Sequence, residues 1–395
     1  MVFQSLDDKN QCVAVCVAGK IIRNKLPKNI KSTWDYSEFL KDKDIEYAKY
    51  YCGGKSLDEV CPKKFRKKWN AVKSRLEAFY RSMKEAELSL NDHCFYDLVP
   101  EQFLIDFCHV KNQICNFVFN NYTKPDNYQY MVSLAKVLTE IKNKKLNIDL
   151  SMLNNDLHKF KARQFARKMK KIQPHVIYDP FKTKTGRLAT KRSFPILTMD
   201  RSYRKILKPN NDWFLEFDYN AAELRVLLGL LGKEQPQKDL HEWNLKNVYA
   251  GTGTRKEAKE RIFAWLYNPQ SQDTLSNRVY NREELLTKYW NGTHVKTCFS
   301  REIEADEYHA VNYIVQSTAA ELFLRQMIKL WEVLEGKKSY IAFCLHDALV
   351  IDFSEEDQFK LNDLKEIFAE TKLGKFKVNV SAGKDYGNMK KLQVH

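Results

Sequence analysis

Two strand-like segments that lie far apart in the chain each present an aspartate where the strand pattern ends. Asp218 follows the strand-like run 213–217, and Asp347 separates two apolar runs, 340–345 and 348–353. Carboxylate oxygens are preferred ligands of Mg²⁺, and a pair of metal ions can stabilise both the attacking and the leaving oxygen of a phosphoryl transfer. The two segments therefore predict a two-metal site, provided that their strands meet.

Each aspartate also has an ordinary structural interpretation. A stretch with helical propensity, 221–228, follows Asp218, and aspartate is a common helix N-cap. His346 and Asp347 form the tip of a predicted β-hairpin, although this pair lacks the glycine or asparagine that supplies a positive φ in tight turns. Departures from local rules of this kind are expected at functional sites.

The charge balance indicates a polyanionic partner. The 395 residues include 66 Lys and Arg against 50 Asp and Glu, which gives a net charge of +16. Such a field attracts and steers nucleic acid. The sequence has no run of 18 apolar residues and no signal-peptide pattern, so we expect a cytoplasmic protein without membrane contact. The nine cysteines include no Cys-x-x-Cys pair and are expected to be reduced, mostly buried thiols.

The spacing of hydrophobic residues divides the chain into regions with different predicted secondary structure. Residues 10–25 alternate as in a strand, a turn and a second strand, so we expect a small β-containing region over 1–60. Residues 61–172 have the three-and-four spacing of helices and form a basic lobe, with the main boundary near 173. The apolar stripe of this lobe includes Leu104, Phe107, Val110, Ile114 and Val118.

Two stretches of the helical lobe are strongly basic, 62–69 and 158–171. The second contains seven Lys or Arg residues and no acid. Its apolar stripe is predicted to consist of Phe165, Met169 and Ile172. The cations between them, Arg163, Arg167, Lys168, Lys170 and Lys171, would face either water or a phosphate backbone, and both interpretations stay open.

A helix with clear ends is predicted between Thr254 and Pro269. Thr254 and Glu257 form a capping box, and Asn268 precedes the terminating proline. One stripe of this helix carries Arg255, Lys259, Phe263 and Tyr267. The cations could bind a triphosphate and the rings could stack on a base or sugar. The alternative is an ordinary amphipathic helix with its aromatic side chains in the core.

Three shorter segments offer polar groups. The turn 185–188 presents Arg187, and a histidine, His241, precedes the capped helix. Asn312 and Gln316 lie four residues apart in a long helix predicted over about 305–331. Two amides on one helix face suit hydrogen bonding with base edges or sugars.

Together and in this order, these segments resemble the polymerase domain of the family A DNA polymerases, the group of bacterial DNA polymerase I and many phage replicative enzymes. A phage-type member is expected. The matching elements are Thr185-Gly-Arg-Leu188, Asp218-Tyr-x-x-x-Glu223-Leu-Arg225, Asp239-Leu-His241, Arg255-x3-Lys259-x3-Phe263-x3-Tyr267, Asn312-x3-Gln316 and His346-Asp347. The ending, from Gly383 to His395, is also similar.

The resemblance implies an α+β fold shaped like a right hand. The palm, an antiparallel sheet, would comprise 173–220 and 301–395, and the helical fingers would comprise 221–300. The thumb would belong to the basic lobe 61–172. Because little chain separates 149 from 185, we expect a reduced thumb and hence low, salt-sensitive processivity.

The resemblance also implies roles for individual residues. Asp218 and Asp347, with the carbonyl of Tyr219, would hold two Mg²⁺ ions, for which Mn²⁺ could substitute. The triphosphate of the incoming deoxynucleotide would be bound by Arg255, Lys259 and His241, with Lys259 also catalytic. Phe263 and Tyr267 would shape the pocket for its sugar and base, and Glu223 would exclude a 2′-hydroxyl. The primer-template DNA would be contacted by Arg187, Asn312, Gln316 and His346, and by Arg163, Arg167 and Lys168 of the basic stretch.

The sequence departs from the family pattern at three positions. Ala348 replaces a glutamate, and Asn268 and Ser317 each replace a glycine. No proofreading 3′–5′ exonuclease is expected, because Asp44 and Glu46 form the only Asp-x-Glu candidate and lie in a charged stretch. We therefore expect a monomer that works with a separate exonuclease or processivity protein. The alternatives are a single-subunit RNA polymerase, against which Glu223 argues, and an inactive polymerase fold that binds nucleic acid.

Overall fold

The structure of the chain is a computed structural model that describes residues 1–8, 11–23, 26–88, 90, 92–191 and 193–393. Residues 9, 10, 24 and 25 of the predicted N-terminal β element lie outside the described residues, as do the last two residues of the chain. The chain separates into two compact units, Met1–Asn143 and Lys144–His395.

The first unit combines a small sheet with helices. Its strands are β1 (Phe3–Asp8), β2 (Gln11–Val17), β3 (Lys20–Ile22), β4 (Ser32–Thr33) and β5 (Glu46–Tyr47). Its helices are α1 (Ala48–Tyr51), α2 (Leu57–Val60), α3 (Lys63–Glu85), α4 (Glu101–Asn121) and α5 (Tyr128–Asn143).

The N-terminal β element is larger than its sequence pattern indicated. The predicted strand, turn and strand are β2 and β3, joined at Ala18 and Gly19, and β1 adds a third antiparallel strand. Four of the five predicted stripe residues of α4 are buried in the core of this unit, and Phe107 is partly buried. Helical spacing was therefore a good guide to the core here.

The second unit contains the remaining elements. Its strands are β6 (Asn147–Ile148), β7 (Tyr178–Asp179), β8 (Ala189–Thr190), β9 (Leu207–Lys208), β10 (Trp213–Tyr219), β11 (His294–Lys296), β12 (Glu302–Glu304), β13 (Tyr340–Leu345), β14 (Ala348–Phe353), β15 (Glu370–Thr371), β16 (Gly374–Lys375), β17 (Val378–Gly383) and β18 (Lys390–Leu392). Its helices are α6 (Phe160–Met169), α7 (Ala222–Leu230), α8 (Leu240–Asn247), α9 (Arg255–Tyr267), α10 (Thr274–Tyr280), α11 (Arg282–Tyr289), α12 (Glu307–Leu334) and α13 (Leu361–Ala369).

A five-stranded sheet of order β13-β14-β10-β17-β18 lies at the centre of the second unit. All of its neighbouring strands are antiparallel. The face of β10 that carries Phe217 and Tyr219 packs on α13, where Tyr219 stacks on Phe368 at 4.4 Å between ring centroids. Phe323 of α12 contacts the same Phe368 ring. Because side chains alternate along a strand, Asp218 points to the opposite face of this sheet.

The boundary between the compact units differs from the expected one near 173. Residues 144–172 belong to the second unit because β6 pairs with β9 and Asp156 forms an ion pair with Lys205 at 2.6 Å. Phe165 of α6 stacks on Tyr203 at 4.6 Å. These contacts join residues about forty to sixty positions apart, so local periodicity could not reveal them.

Two expectations from composition can be compared with the structure. Six of the nine cysteines are buried, and the others are partly buried. Within the described part of the chain, none of the helices combines the length and the apolar character needed to cross a bilayer.

Candidate active site

The two aspartates of the opening pattern belong to neighbouring strands of the central sheet. Asp218 lies near the end of β10 and pairs with Ala348 on β14 and with Asn379 on β17. Asp347 lies at the tip between β13 and β14. The strands therefore meet, as the two-metal hypothesis required.

The local geometry agrees with the unusual turn sequence. His346 has a φ of +54°, which is a conformation that glycine or asparagine adopts more readily. The N-cap of α7 is Ala221, also with a positive φ and without a side-chain cap. The interpretation of Asp218 as a helix cap is therefore wrong, and its carboxylate is available for another role.

Asp218 lies in an environment that disfavours its own charge. Burial, together with the carboxylates of Asp347 and Glu216, raises the pKa of Asp218 to about 6, although a hydrogen bond from Asn379 and the charge of Lys391 oppose this shift. Glu216 was not anticipated, and it lies two residues before Asp218 on the same face of β10. A cation placed between these carboxylates would relieve their repulsion.

Asp218, Asp347 and Asn379 line one cavity of about 290 Å³ together with Tyr219. We call these four residues the sheet wall. Among the described residues there is no cluster of three or more His, Cys, Asp or Glu that could hold a metal ion. The donor set is thus two carboxylates and the backbone of Tyr219, whose hard oxygens fit Mg²⁺.

The same cavity is also lined by cationic and aromatic side chains. Arg255, Lys259 and Phe263 of α9 line it, and so does His241 of α8. We call these four residues the helix wall. The capping box of Thr254 and Glu257 is present as predicted, and α9 ends at Tyr267.

The aromatic residues of the α9 stripe are not in the core. Phe263 and Tyr267 stack at 5.9 Å with an angle of 8° between their rings, and Tyr267 is 42% exposed. The core face of α9 consists instead of Ala258, Ile262, Trp265 and Leu266. The stripe therefore faces the cavity and solvent, which favours the ligand-binding interpretation over the ordinary amphipathic helix.

The two cations of the helix wall have different partners. Arg255 donates two hydrogen bonds to Asp239, at 3.0 and 2.7 Å. Lys259 forms no ion pair with any described residue, and its Nζ lies 5.9 Å from the centre of the Phe263 ring. Only one of the two predicted phosphate-binding cations is thus paired with a carboxylate.

His241 is buried and stays neutral at physiological pH. Burial, assisted by the charges of Arg255 and Lys259 and opposed by that of Asp239, lowers the pKa of His241 to about 4. The Nδ1 atom of His241 is buried without a hydrogen-bond partner in the described structure. A neutral imidazole beside a cavity lined by cations can donate a single hydrogen bond without adding charge.

Glu223, predicted to exclude a 2′-hydroxyl, lies in the first turn of α7 and is 8% exposed. Its carboxylate accepts hydrogen bonds from Arg187 and from the hydroxyl of Tyr267. The turn that presents Arg187 favours glycine at 186, where φ is +76°. Three predicted site residues from distant segments are therefore in direct contact.

The predicted DNA-contacting residues divide into those that line a cavity and those that do not. Asp347, His346 and Arg187 line an adjoining cavity of about 440 Å³. Asn312 lines a small cavity with Tyr267, and Gln316 of the same α12 face also interacts with Tyr267. In contrast, Arg163, Arg167 and Lys168 of α6 are exposed and line none of these cavities.

Besides Glu216, two residues that contact the predicted site residues were missed by the sequence analysis. Asn379 contacts Asp218 from β17, 161 residues further along the chain. Asp239 holds Arg255, although the sequence had marked it only as part of a motif. Neither pairing has a local signal, because each depends on contacts between separate elements.

Two bacterial DNA polymerase I proteins are similar to part of this chain. The thermostable DNA polymerase I of Thermus filiformis is 25% identical over 267 residues, which cover 53% of this chain and 32% of that protein. DNA polymerase I of Borreliella burgdorferi is 23% identical over 272 residues, or 54% of this chain and 30% of that protein. The chain thus spans about a third of the length of these relatives. No protein-family model matches the sequence.

A solved structure extends the similarity to nearly the whole chain. The POL domain of Pol1 from M. smegmatis, in complex with DNA primer-template and dNTP, superposes with a TM-score of 0.67 at 11% sequence identity. The match covers 98% of this chain and 95% of that chain. The fold is therefore that of a DNA polymerase domain, with mixed α and β elements and an antiparallel sheet, which confirms the predicted fold class at that level.

Proposed function

We propose that this chain is a template-directed DNA polymerase that extends a primer 3′-hydroxyl with deoxynucleoside triphosphates. One observation carries the proposal: two strand-end carboxylates and two cations of α9 line a single cavity. Such a site combines ligands for divalent metal ions with positive charge for a triphosphate. The DNA polymerase I relatives and the polymerase fold support the same activity.

Asp218 and Asp347 would hold two Mg²⁺ ions, with the backbone carbonyl of Tyr219 as a further ligand and Mn²⁺ as a substitute. When bound, such ions lower the pKa of the attacking hydroxyl and neutralise charge that develops on the transferred phosphoryl group. The ionised carboxylates themselves must be held in place: the pairing of β10 with both neighbours positions Asp218, and the pairing of β13 with β14 positions the turn that carries Asp347. Ala348 opposite Asp218 leaves the site without a third carboxylate at that position.

The helix wall would bind the incoming nucleotide. Lys259 and Arg255 offer charge to the triphosphate and to the departing pyrophosphate, and neutral His241 offers a directed hydrogen bond. Phe263 and Tyr267 present stacked rings to the sugar and base. Stacking on aromatic rings is tolerant of base identity, so nucleotide choice would come from the template base.

Glu223 would act as the sugar gate. Its carboxylate is fixed by Arg187 on one side and by Tyr267 on the other. A carboxylate with so little freedom can exclude a 2′-hydroxyl by its bulk and charge. This restraint favours deoxynucleotides over ribonucleotides, and hence a DNA polymerase over an RNA polymerase of related architecture.

The primer-template would be contacted by Arg187, Asn312, Gln316 and His346 near the growing end. The exposed cations of α6, including Arg163, Arg167 and Lys168, would bind phosphates further along the duplex. In this arrangement the central sheet would belong to the palm, 173–220 and 301–395, and helices α7 to α11 would belong to the fingers, 221–300. The enzyme would act as a cytoplasmic monomer with a separate exonuclease or processivity protein.

Primer extension tests the proposal. We expect the purified chain to extend a DNA primer with deoxynucleotides in the presence of Mg²⁺, and to use ribonucleotides far less well on either a DNA or an RNA template. A 3′-labelled primer should stay intact without nucleotides. Preferential use of ribonucleotides would favour the RNA polymerase alternative, and the absence of any extension would favour an inactive fold.

A further inference from the structure

Two arginines of helix α9 each pair with an aspartate that caps another helix. Of these two pairs, one lies at the nucleotide cavity. Arg255 donates its Nε and Nη2 protons to Asp239 at 3.0 and 2.7 Å. Arg261 donates the same two groups to Asp273, both at 2.8 Å. Arg255 lines the cavity with Asp218, whereas neither Arg261 nor Asp273 does.

Asp239 makes more contacts than a helix cap requires. It caps α8 by accepting from the backbone N–H groups of His241 and Glu242, at 3.1 and 3.0 Å. It also accepts a hydrogen bond from Asn220 Nδ2 at 2.9 Å. Burial raises the pKa of Asp239. The two hydrogen bonds from Arg255, which we call the Arg255 fork, outweigh burial together with the bonds above and keep this pKa well below its usual range. Asp239 is therefore a fixed negative charge at neutral pH.

Asn220 connects this charge to the end of the catalytic strand. It follows Tyr219, the last residue of β10, and its Oδ1 accepts from Leu240 N–H at 2.9 Å and from Arg225 Nη2 at 3.1 Å. Arg225 is completely buried and also donates to the carbonyls of Pro236 and Lys238. Asn220, the residue after Tyr219 of the sheet wall, is thus hydrogen-bonded to Asp239, which in turn accepts the two hydrogen bonds from Arg255.

We propose that Asp239 is a positioning residue that holds the Arg255 guanidinium beside the nucleotide cavity and competes with the triphosphate for it. This inference rests on the proposed polymerase function. In the absence of nucleotide, Asp239 neutralises Arg255 and leaves Lys259 as the cation without an ion-pair partner among the described residues. When a triphosphate binds, Arg255 must share its donors, and the Asp239 carboxylate repels the phosphates at the same time.

The arrangement affects binding and reaction in opposite directions. The loss of the ion pair and the repulsion both weaken binding of the nucleotide, while the fork fixes the direction in which Arg255 points. A guanidinium that is already oriented loses less freedom when it meets the reacting phosphates. Asp239 therefore lowers nucleotide affinity and raises the rate of the bound complex.

The test compares Asp239→Asn with Asp273→Asn in the full chain. Asparagine is as good an N-cap as aspartate, so both variants keep the helix caps and lose one charged pair with arginine. Asp239→Asn also loses the acceptor for Asn220 Nδ2. The affinity of the complementary dNTP is measured with a primer that ends in a 3′-dideoxynucleotide, and the rate by single-turnover incorporation on a normal primer. Thermal unfolding of both variants checks the fold.

For Asp239→Asn we expect the dNTP to bind about fivefold more tightly, as the loss of one partly exposed ion pair predicts. We expect the incorporation rate at saturating dNTP to fall about threefold or more. Asp273→Asn should change neither quantity. Asp239→Ala should also lower the melting temperature, because it removes the cap, and Asp239→Asn should restore that temperature without restoring the kinetics.

Two results would overturn the inference: wild-type affinity and rate in Asp239→Asn, or equal changes in Asp239→Asn and Asp273→Asn. The first would show that Asp239 serves only as a helix cap. Both are distinct from a failure of the proposed function, which would be a lack of extension by the wild-type chain itself.

Discussion

The sheet wall and the helix wall of the cavity are built on different principles. Asp218 lies on the central strand of the sheet, with backbone pairing to β14 on one side and β17 on the other. Arg255 and Lys259 reach the cavity as side chains of a helix, and the side chain of Arg255 is 47% exposed. The anionic half is thus positioned by the backbone, and the cationic half by side-chain contacts that can rearrange.

This difference predicts that substitutions in the sheet wall abolish activity, whereas substitutions in the helix wall reduce it by different amounts. Replacement of Asp218 or Asp347 by asparagine should reduce Mg²⁺-dependent extension on the order of a thousandfold or more, because each removes a proposed metal-binding carboxylate. Binding of primer-template DNA, measured by fluorescence anisotropy, should stay within about twofold of wild type. Substantial extension by either variant would contradict the metal assignment.

Glu223 accepts hydrogen bonds from Arg187 and Tyr267, and its replacement tests whether the proposed sugar gate depends on its carboxylate. Glu223→Ala should raise the efficiency of ribonucleotide incorporation relative to deoxynucleotide incorporation on the order of a hundredfold. The ratio of kcat/KM values for a matched dNTP and rNTP measures this directly. An unchanged ratio would show that another group excludes the 2′-hydroxyl.

The two cations of the helix wall should differ in their importance for nucleotide affinity. Lys259→Ala removes a charge without an ion-pair partner and should weaken dNTP binding by about 10-fold to 100-fold. Arg255→Ala removes a charge already neutralised by Asp239 and should weaken it by less, about threefold to tenfold. Equilibrium binding to a dideoxy-terminated primer-template separates the two. Equal losses would mean that the Asp239 pair has no influence.

The smallest expected effect concerns stability rather than activity. The pKa of Asp218 is about 6 in the folded chain against 3.8 as a reference, so the folded state loses stability as pH rises between these values. Without metal ions, Asp218→Asn should therefore be more stable than wild type at pH 8, by about 1–2 kcal/mol. This difference should vanish near pH 4. Thermal or urea unfolding of both proteins at the two pH values measures this difference. Equal stability of Asp218→Asn and wild type at pH 8 would contradict our expectation.

The parts of the site that sequence predicted well are those with local signals. Helix α9 begins at its capping box and ends before Asn268, as its sequence indicated. The hairpin β13–β14 and the strand before Asp218 also appeared where the apolar and strand-like runs predicted them. Such signals involve residues within about four positions of each other.

The parts that sequence did not predict depend on distant partners. Strand β1 was missed, and β17 brings Asn379 beside Asp218 from 161 residues away. The Arg255–Asp239 fork joins two helices whose own patterns say nothing about their packing. The resemblance implied residue roles, but only the structure showed that Asp218 and Asp347 line one cavity with Arg255 and Lys259.

The central claim is that the chain inserts nucleotides under the direction of a template. The most direct measurement is single-nucleotide insertion by the wild-type chain on four primer-templates that differ only in the templating base, each with every dNTP in turn and with Mg²⁺. The account predicts rapid addition of the complementary nucleotide alone, and none after chelation of the metal. Addition that ignores the templating base, or no addition on any template, would contradict it.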